Sequence, residues 1–188
     1  MTFTEKIWFT SDTHFGHTNI LEFSSRPFKT VDEMDAELIT RWNAIVGKKD
    51  IIYHLGDFAL CDVKRATNAM RRLNGRIRLV RGNHDQKIIK GELESMFEWV
   101  KDYFELTGPN KVKIVLSHYA FETWNKSHFG SWQLHGHSHG SLVFRDVKRL
   151  DVGVDTHDYR PYSIYEIEKI METRNIIQSD SHKKRSRK

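Results

Sequence analysis

A single cysteine, Cys61, stands in 188 residues, so no disulfide can form within the chain. A reducing compartment, the cytoplasm, is the expected setting. No apolar run reaches signal-peptide or membrane-spanning length, which argues against a membrane role. The N-terminus is expected to run almost directly into a first strand. No internal repeat or low-complexity linker interrupts the body, so one domain with a proper core is expected over residues 1–178. Net charge is also missing from that body. The formal charge of +5 is matched by Lys183, Lys184, Arg185, Arg187 and Lys188, leaving twenty-five basic residues against twenty-five acids. Residues 179–188 therefore read as a disordered basic tail. It is either an arm for RNA, DNA or an anionic surface, or a solubilising terminus.

Acids are absent from residues 63–81, where Lys64, Arg65, Arg71, Arg72, Arg76, Arg78 and Arg81 gather. Such a run is usually a solvated helix face; the alternative is an electropositive wall that draws in polyanions. Arg81 has the best claim to reach a phosphate.

Metal-ligating side chains, by contrast, are plentiful and ordered. Asp12-Thr13-His14, Gly56-Asp57, Gly82-Asn83-His84-Asp85, Ser117-His118 and Gly136-His137-Ser138-His139 follow one another along the chain. Four of the five come after β-branched or aromatic runs: 7–9, 51–53, 77–80 and 112–116. Loops after strands put their side chains along one sheet edge, where sites of α/β proteins lie.

These five motifs, in this order, resemble those of the calcineurin-like metallophosphoesterases, most closely the small single-domain bacterial and phage branch. The resemblance spans roughly Ile7 to Ile170. It implies an α/β fold, a four-layer α-β-β-α sandwich of two mixed sheets with metals at one end. It also implies that Asp12, His14 and His139 hold one metal, Asn83, His118 and His137 a second, and that Asp57 bridges them. His84 would face the substrate instead. Two cations about 3.5–4 Å apart can clamp an in-line displacement at phosphorus, and a hydroxide shared between them is a nucleophile at neutral pH. Imidazole with carboxylate suits Mn, Fe, Ni or Zn better than Mg or Ca, with manganese placed first. Histidine is the usual general acid because its unperturbed pKa of about 6.5 sits near working pH, so His84 suits that role. Asp85 is expected to cap a short helix over 86–90.

The leading reading is a phosphodiesterase for a nucleotide-like or small organic diester, with nucleotide or nucleic acid as the partner class and no membrane. A phosphomonoesterase or nucleotide pyrophosphatase comes second, and a non-catalytic interaction domain on the same fold a remote third. Phe58-Ala59-Leu60 after Gly56-Asp57 departs from the protein serine/threonine phosphatases, whose Gly-Asp-x-x-Asp-Arg-Gly signature is absent. The double-strand-break exonucleases carry capping regions for which this length leaves no room.

Lesser candidates are His17, Arg26, Arg81 and Arg160 for substrate binding. Loops near 15–28, 120–131 and 155–161 are expected to shape the pocket, His128 among them. His54 reads as a core histidine, His135 as pointing away from the metals, and Trp124 and Trp132 as packing residues rather than base-stacking ones. Helical spacing predicts helices over 30–47, 62–73 and 163–171. Strands are expected at 6–11, 50–55, 77–81, 99–106, 111–117, 132–135, 141–145 and 149–154, with Gly108-Pro109-Asn110 as a turn.

Overall fold

A computed structural model describes residues 5–142 and 146–177. Strands β1 (Ile7–Thr10), β2 (Ile51–His54), β3 (Arg76–Val80) and β4 (Trp99–Lys101) form a parallel row. A two-residue strand late in the chain, Tyr162–Ser163, pairs antiparallel with β1 and makes this sheet mixed. The second sheet runs β5 (Phe104–Thr107), β6 (Lys113–Leu116), β7 (Trp132–His135) and β8 (Arg149–Asp151). Its β5–β6 pair is antiparallel and the others parallel. The late strand Tyr162–Ser163 is β9.

The three longest helices arise where the spacing places them. Short α1 (Ile20–Phe23) precedes α2 (Val31–Ile45), which buries Met34, Leu38, Ile39 and Trp42 along one stripe. Thr30 Oγ1 accepts from the Glu33 amide at 3.1 Å, while the Glu33 carboxylate reaches back to the Lys29 amide rather than to Thr30. In α3 (Val63–Arg72) the Asp62 carboxylate caps the start and Ala66, Ala69 and Met70 are buried. Two short helices follow, α4 (Asp85–Ile88) and α5 (Gly91–Ser95). Finally α6 (Ile164–Glu172) starts on a reciprocal capping box between Ser163 and Glu166.

Apolar alternation sorts each strand between two cores. Trp8, Ile52, Ile77 and Leu79 face α2 and α3. Phe9, Tyr53 and Val80 meet Ile114, Leu116, Leu134 and Leu150 of the second sheet, with Ile167 and Met171 of α6 in the same cluster. Outside the second sheet, Val115 packs with Trp124 and Ile177, so the segment after β6 is the cover there. Each fully buried Leu, Ile or Phe of these layers contributes about 1.5–3 kcal/mol, and this packing fixes the strand ends that carry the motifs.

Three expectations need correction. The single strand over 99–106 is two strands in different sheets, because the chain leaves β3 and crosses to β6 at Asp102-Tyr103. No glycine or proline marks that break, and apolar residues run on both sides of it. Ser141 and Leu142 are not in a strand; the rest of the segment expected over 141–145 lies outside the described residues, as does the basic tail. Asp85 does not cap α4: its carboxylate accepts from the amides of Asp57, Phe58 and Gly82. Among the described residues no helix is long and apolar enough to cross a membrane.

Candidate metal centre

Every parallel strand of the first sheet ends near one edge, and the loops that leave β1, β2, β3, β6 and β7 bring the motif side chains together there. Asp12 N donates to Gly56 O, His14 N to Asp57 O and Gly136 N to His118 O, so the loops are tied to one another through backbone. Five of the seven expected ligands sit at left-handed backbone angles: Asp12 (φ 56°), His14 (50°), Asp57 (56°), His137 (68°) and His139 (47°). Such angles cost on the order of 1–3 kcal/mol each for non-glycine residues and gather where a site needs them. Glycine is required where the loops touch. A Cβ on Gly82 would lie 2.2 Å from Asp57 Oδ1, and one on Gly136 2.4 Å from Asp12 Oδ2.

Two groups of ligand atoms result, Asp12 with His14 and His139, and Asp57 with His118 and His137; within each, all lie within 4.8 Å of one another. Asp57 belongs to both neighbourhoods. Its Oδ2 is 3.6 Å from His14 Nε2 and 3.5 Å from His118 Nε2. Asn83 joins the second group, with Oδ1 at 3.0 Å from His118 Nε2.

The residues fit divalent cations on an independent ground. Both ring nitrogens of His14 are buried with no hydrogen-bond partner, a state that costs about 1–3 kcal/mol per polar group unless something fills it. Burial drives this imidazole far below its ordinary range, leaving it neutral and able to ligate. Burial also pushes the Asp12 carboxyl up to about 7, a penalty that an adjacent cation reverses.

Behind these groups stands a supporting layer. His139 Nδ1 meets Asp155 Oδ2 at 2.7 Å, and Asp155 in turn receives Arg26 at 2.8 Å through both Nε and Nη2. Burial alone would lower His139, but the Asp155 hydrogen bond and the Asp12 charge raise it. His118 Nδ1 lies 2.8 Å from the Leu55 carbonyl. Asp151 accepts from Ser138, Gly140 and Gly153 and so shapes the loop bearing His137 and His139. Carboxylate or carbonyl partners of this kind orient metal-binding imidazoles.

Asp85, fully buried, ties the Gly56-Asp57 turn to the Gly82-Asn83 turn. Burial raises its pKa, opposed by its three amide donors. Asp85→Asn keeps the shape but turns one acceptor into a donor that faces an amide. We expect a loss of about 1–3 kcal/mol and a Tm lower by roughly 5 °C, read by calorimetry. An unchanged Tm would show that the two turns hold without it.

A cavity of about 680 Å³ opens over the metal groups, with His84, His17, Phe23, Ser24 and Ser25 in its lining. His84 is 39% exposed, its Nε2 3.9 Å from Asp57 Oδ2, while its amide donates to Asp57 Oδ1 at 2.9 Å. His17 lies beside it, with ring centroids 6.4 Å apart. Arg26 is not at the cavity. It is buried, and its guanidinium is spent on Asp155 and on the Asp12 and Thr13 carbonyls. Arg160 is likewise engaged by Glu166. Arg81 pairs with Glu94 and Asp102 beside a smaller cleft.

The basic run fares the same way. Arg65, Arg71, Arg76 and Arg78 each face a carboxylate from elsewhere in the sequence, so the wall is largely neutralised. Of the loops, 15–28 shapes the cavity. In the 120–131 segment Phe121 lines the smaller cleft beside Asn83 and His118, whereas Trp124 is buried against the second sheet; in β7, His135 Nδ1 meets the Gly136 carbonyl at 2.8 Å. The His128 ring lies tilted against Phe129 at 4.1 Å and is not in the lining of the cavity. His54 is buried against Trp42 with Nε2 3.0 Å from Thr13 Oγ1. Asp155 was not foreseen, because no motif marks it and its partner Arg26 is 129 residues away.

The sequence profile described as calcineurin-like phosphoesterase matches residues 5–155. The uncharacterized protein MJ1445 of Methanocaldococcus jannaschii is 35% identical over 182 residues, covering 93% of this chain and 96% of that protein. The Gene 66 protein of Mycobacterium phage L5 is 29% identical, covering 79% and 86% respectively. The crystal structure of AQ665, a protein of unknown function from Aquifex aeolicus, superposes with a TM-score of 0.66 at 25% identity, covering 89% of this chain and all of that one. The matched segment contains all five motifs, and the folded chain gathers them into two ligand-like groups at one sheet edge; the chain belongs to the calcineurin-like phosphoesterase family.

Proposed function

We propose that this chain is a two-metal phosphodiesterase for nucleotide-like or small organic diesters, with manganese as the favoured metal. The observation that carries this reading is Asp57, one carboxylate oxygen of which stands 3.6 Å from a nitrogen of one ligand group and 3.5 Å from a nitrogen of the other. Asp12, His14 and His139 would hold one cation, and Asn83, His118 and His137 the second, with Asp57 between. Bound there, the cations supply Lewis-acid charge for the attacking and leaving oxygens of an in-line displacement.

The chain's own residues do the rest. Neutral imidazoles and the Asn83 amide limit the negative charge, so an anionic phosphoryl group can enter. His84 delivers a proton to the leaving alkoxide, its backbone held by the hydrogen bond from its amide N–H to Asp57 Oδ1. Among the described residues lining the main cavity there is no lysine or arginine, which favours a diester over a monoester dianion. The lone free cysteine, Cys61, fits a reducing cytoplasm.

Comparing kcat/KM for bis(p-nitrophenyl) phosphate and for the mono ester, under one metal and pH, tests the substrate class. We expect at least a tenfold preference for the diester, about 1.4 kcal/mol in transition-state stabilisation. A monoester preference of that size would replace the reading with a phosphatase. Asp155→Asn, which removes the anionic partner of His139, should weaken binding at the Asp12 group about 10–100-fold. Competition with a chromophoric chelator measures it, and wild-type affinity would deny Asp155 its orienting role.

A further inference from the structure

Two clefts meet at Asn83. The main cavity lies on the His17 side of the metal groups; a second, of about 280 Å³, lies on the Arg81 side, and Asn83 lines both. Each has an exposed aromatic ring at the metal end. Phe23, at the end of α1, is 74% exposed and meets His17 edge-on at 6.2 Å. Tyr119, directly after the Ser117-His118 motif, is 49% exposed and stands edge-on to His118 at 5.1 Å and to His137 at 4.7 Å. Phe121 continues the second cleft and is stacked on exposed Tyr103 at 6.4 Å.

Phe23 and Tyr119 each line one of the two clefts that share Asn83, beside the place where phosphorus would sit. Polar groups accompany each ring: Ser24 and Ser25 beside Phe23, Gln86 and Ser117 beside Tyr119. A flat π face with nearby hydroxyl and amide groups suits a nucleobase. An internal phosphodiester presents one nucleoside on each side of phosphorus, matching one ring in each of the two clefts that share Asn83. Paired bases cannot reach such faces without leaving their stack, so a single strand is the ligand. Arg81, the cation of the second cleft, is already held by Glu94 and Asp102, so stacking rather than charge supplies the selectivity.

Resting on the diesterase reading above, we infer that Phe23 and Tyr119 are specificity-determining residues that stack the two bases flanking an internal bond of a single-stranded oligonucleotide. The substrate class thereby narrows from small diesters to oligonucleotides cut within the strand.

The test uses the full-length, manganese-loaded protein with two probes. Binding is read by fluorescence anisotropy of a labelled six-residue oligothymidylate with phosphorothioate linkages. Turnover is read on methyl p-nitrophenyl phosphate, a diester without a base, and on unmodified oligothymidylate. A stacked base is worth about 1–3 kcal/mol, so Phe23→Ala and Tyr119→Ala should each weaken anisotropy binding by about 5–100-fold. Each should also reduce oligothymidylate cleavage relative to the methyl ester by a similar factor. Phe23→Tyr and Tyr119→Phe keep the ring and should restore both, which separates stacking from misfolding.

Wild-type binding by both alanine variants, with the methyl ester still hydrolysed, overturns the inference and leaves the diesterase reading standing. So does an effect confined to one ring, or failure of the ring-preserving variants to rescue. Failure of the wild type to hydrolyse any diester sinks the diesterase reading itself, and the inference with it.

Discussion

Asp57→Asn is expected to lower kcat/KM by at least about 10³-fold, or about 4 kcal/mol of transition-state stabilisation. The argument is electrostatic. Asp57 is the carboxylate next to both ligand groups, buried, with Oδ1 receiving the His84 amide and Oδ2 between His14 and His118. An amide in its place keeps the volume and removes the charge that two adjacent cations require. Its NH2 would also direct hydrogens toward a cation or toward the His84 amide, whichever way it turned. Because the backbone of Asp57 is tied to Asp85 and His14, the fold should survive, and circular dichroism should match wild type. Activity within tenfold of wild type would mean that the cations do not share this group.

His84→Ala should separate from that variant by phenotype. The imidazole lines the cavity and belongs to neither ligand group, so metal content should remain near wild type. Turnover of an alkyl diester should fall about 10²–10⁴-fold, the ordinary worth of a positioned acid. The loss should shrink with a p-nitrophenolate leaving group, which departs without needing a proton. Loss of a metal equivalent in His84→Ala, or an equal loss for both leaving groups, would contradict the assigned role.

Most of the site was legible in the sequence because its chemistry is local. Each candidate ligand sits on a short loop after a strand, and the dipeptides and glycines survive as written patterns whatever the packing around them. What was not legible depends on contacts between distant segments. Arg26 looked like a phosphate-binding residue, yet Asp155, 129 residues away, claims its guanidinium. The basic run over 63–81 read first as a solvated helix face and second as an electropositive wall; acids from α2 and α5 that pair with it count against the wall. Asp85 followed a motif and preceded a helix, so a cap was the local inference; its amide partners come from the β2 loop as well as its own.

The fold shows the same division. Helices α2, α3 and α6 are visible in their apolar spacing and start signals, whereas β9 is two residues long and carries no period of its own. The crossing between sheets after β4 has no glycine or proline to mark it, and the pairing reveals it. Phe23 and Tyr119 offered no signal as a pair, since only the folded chain sets them in two clefts that share Asn83.

The central claim is that one chain holds two catalytic cations through a shared Asp57. Titrating chelator-treated protein with Mn²⁺ while following bound metal and diester hydrolysis in the same samples tests it most directly. Two equivalents should bind per chain, with hydrolysis rising steeply only as the second site fills. Full activity at a single equivalent, with no second metal bound at saturating Mn²⁺, would contradict the account.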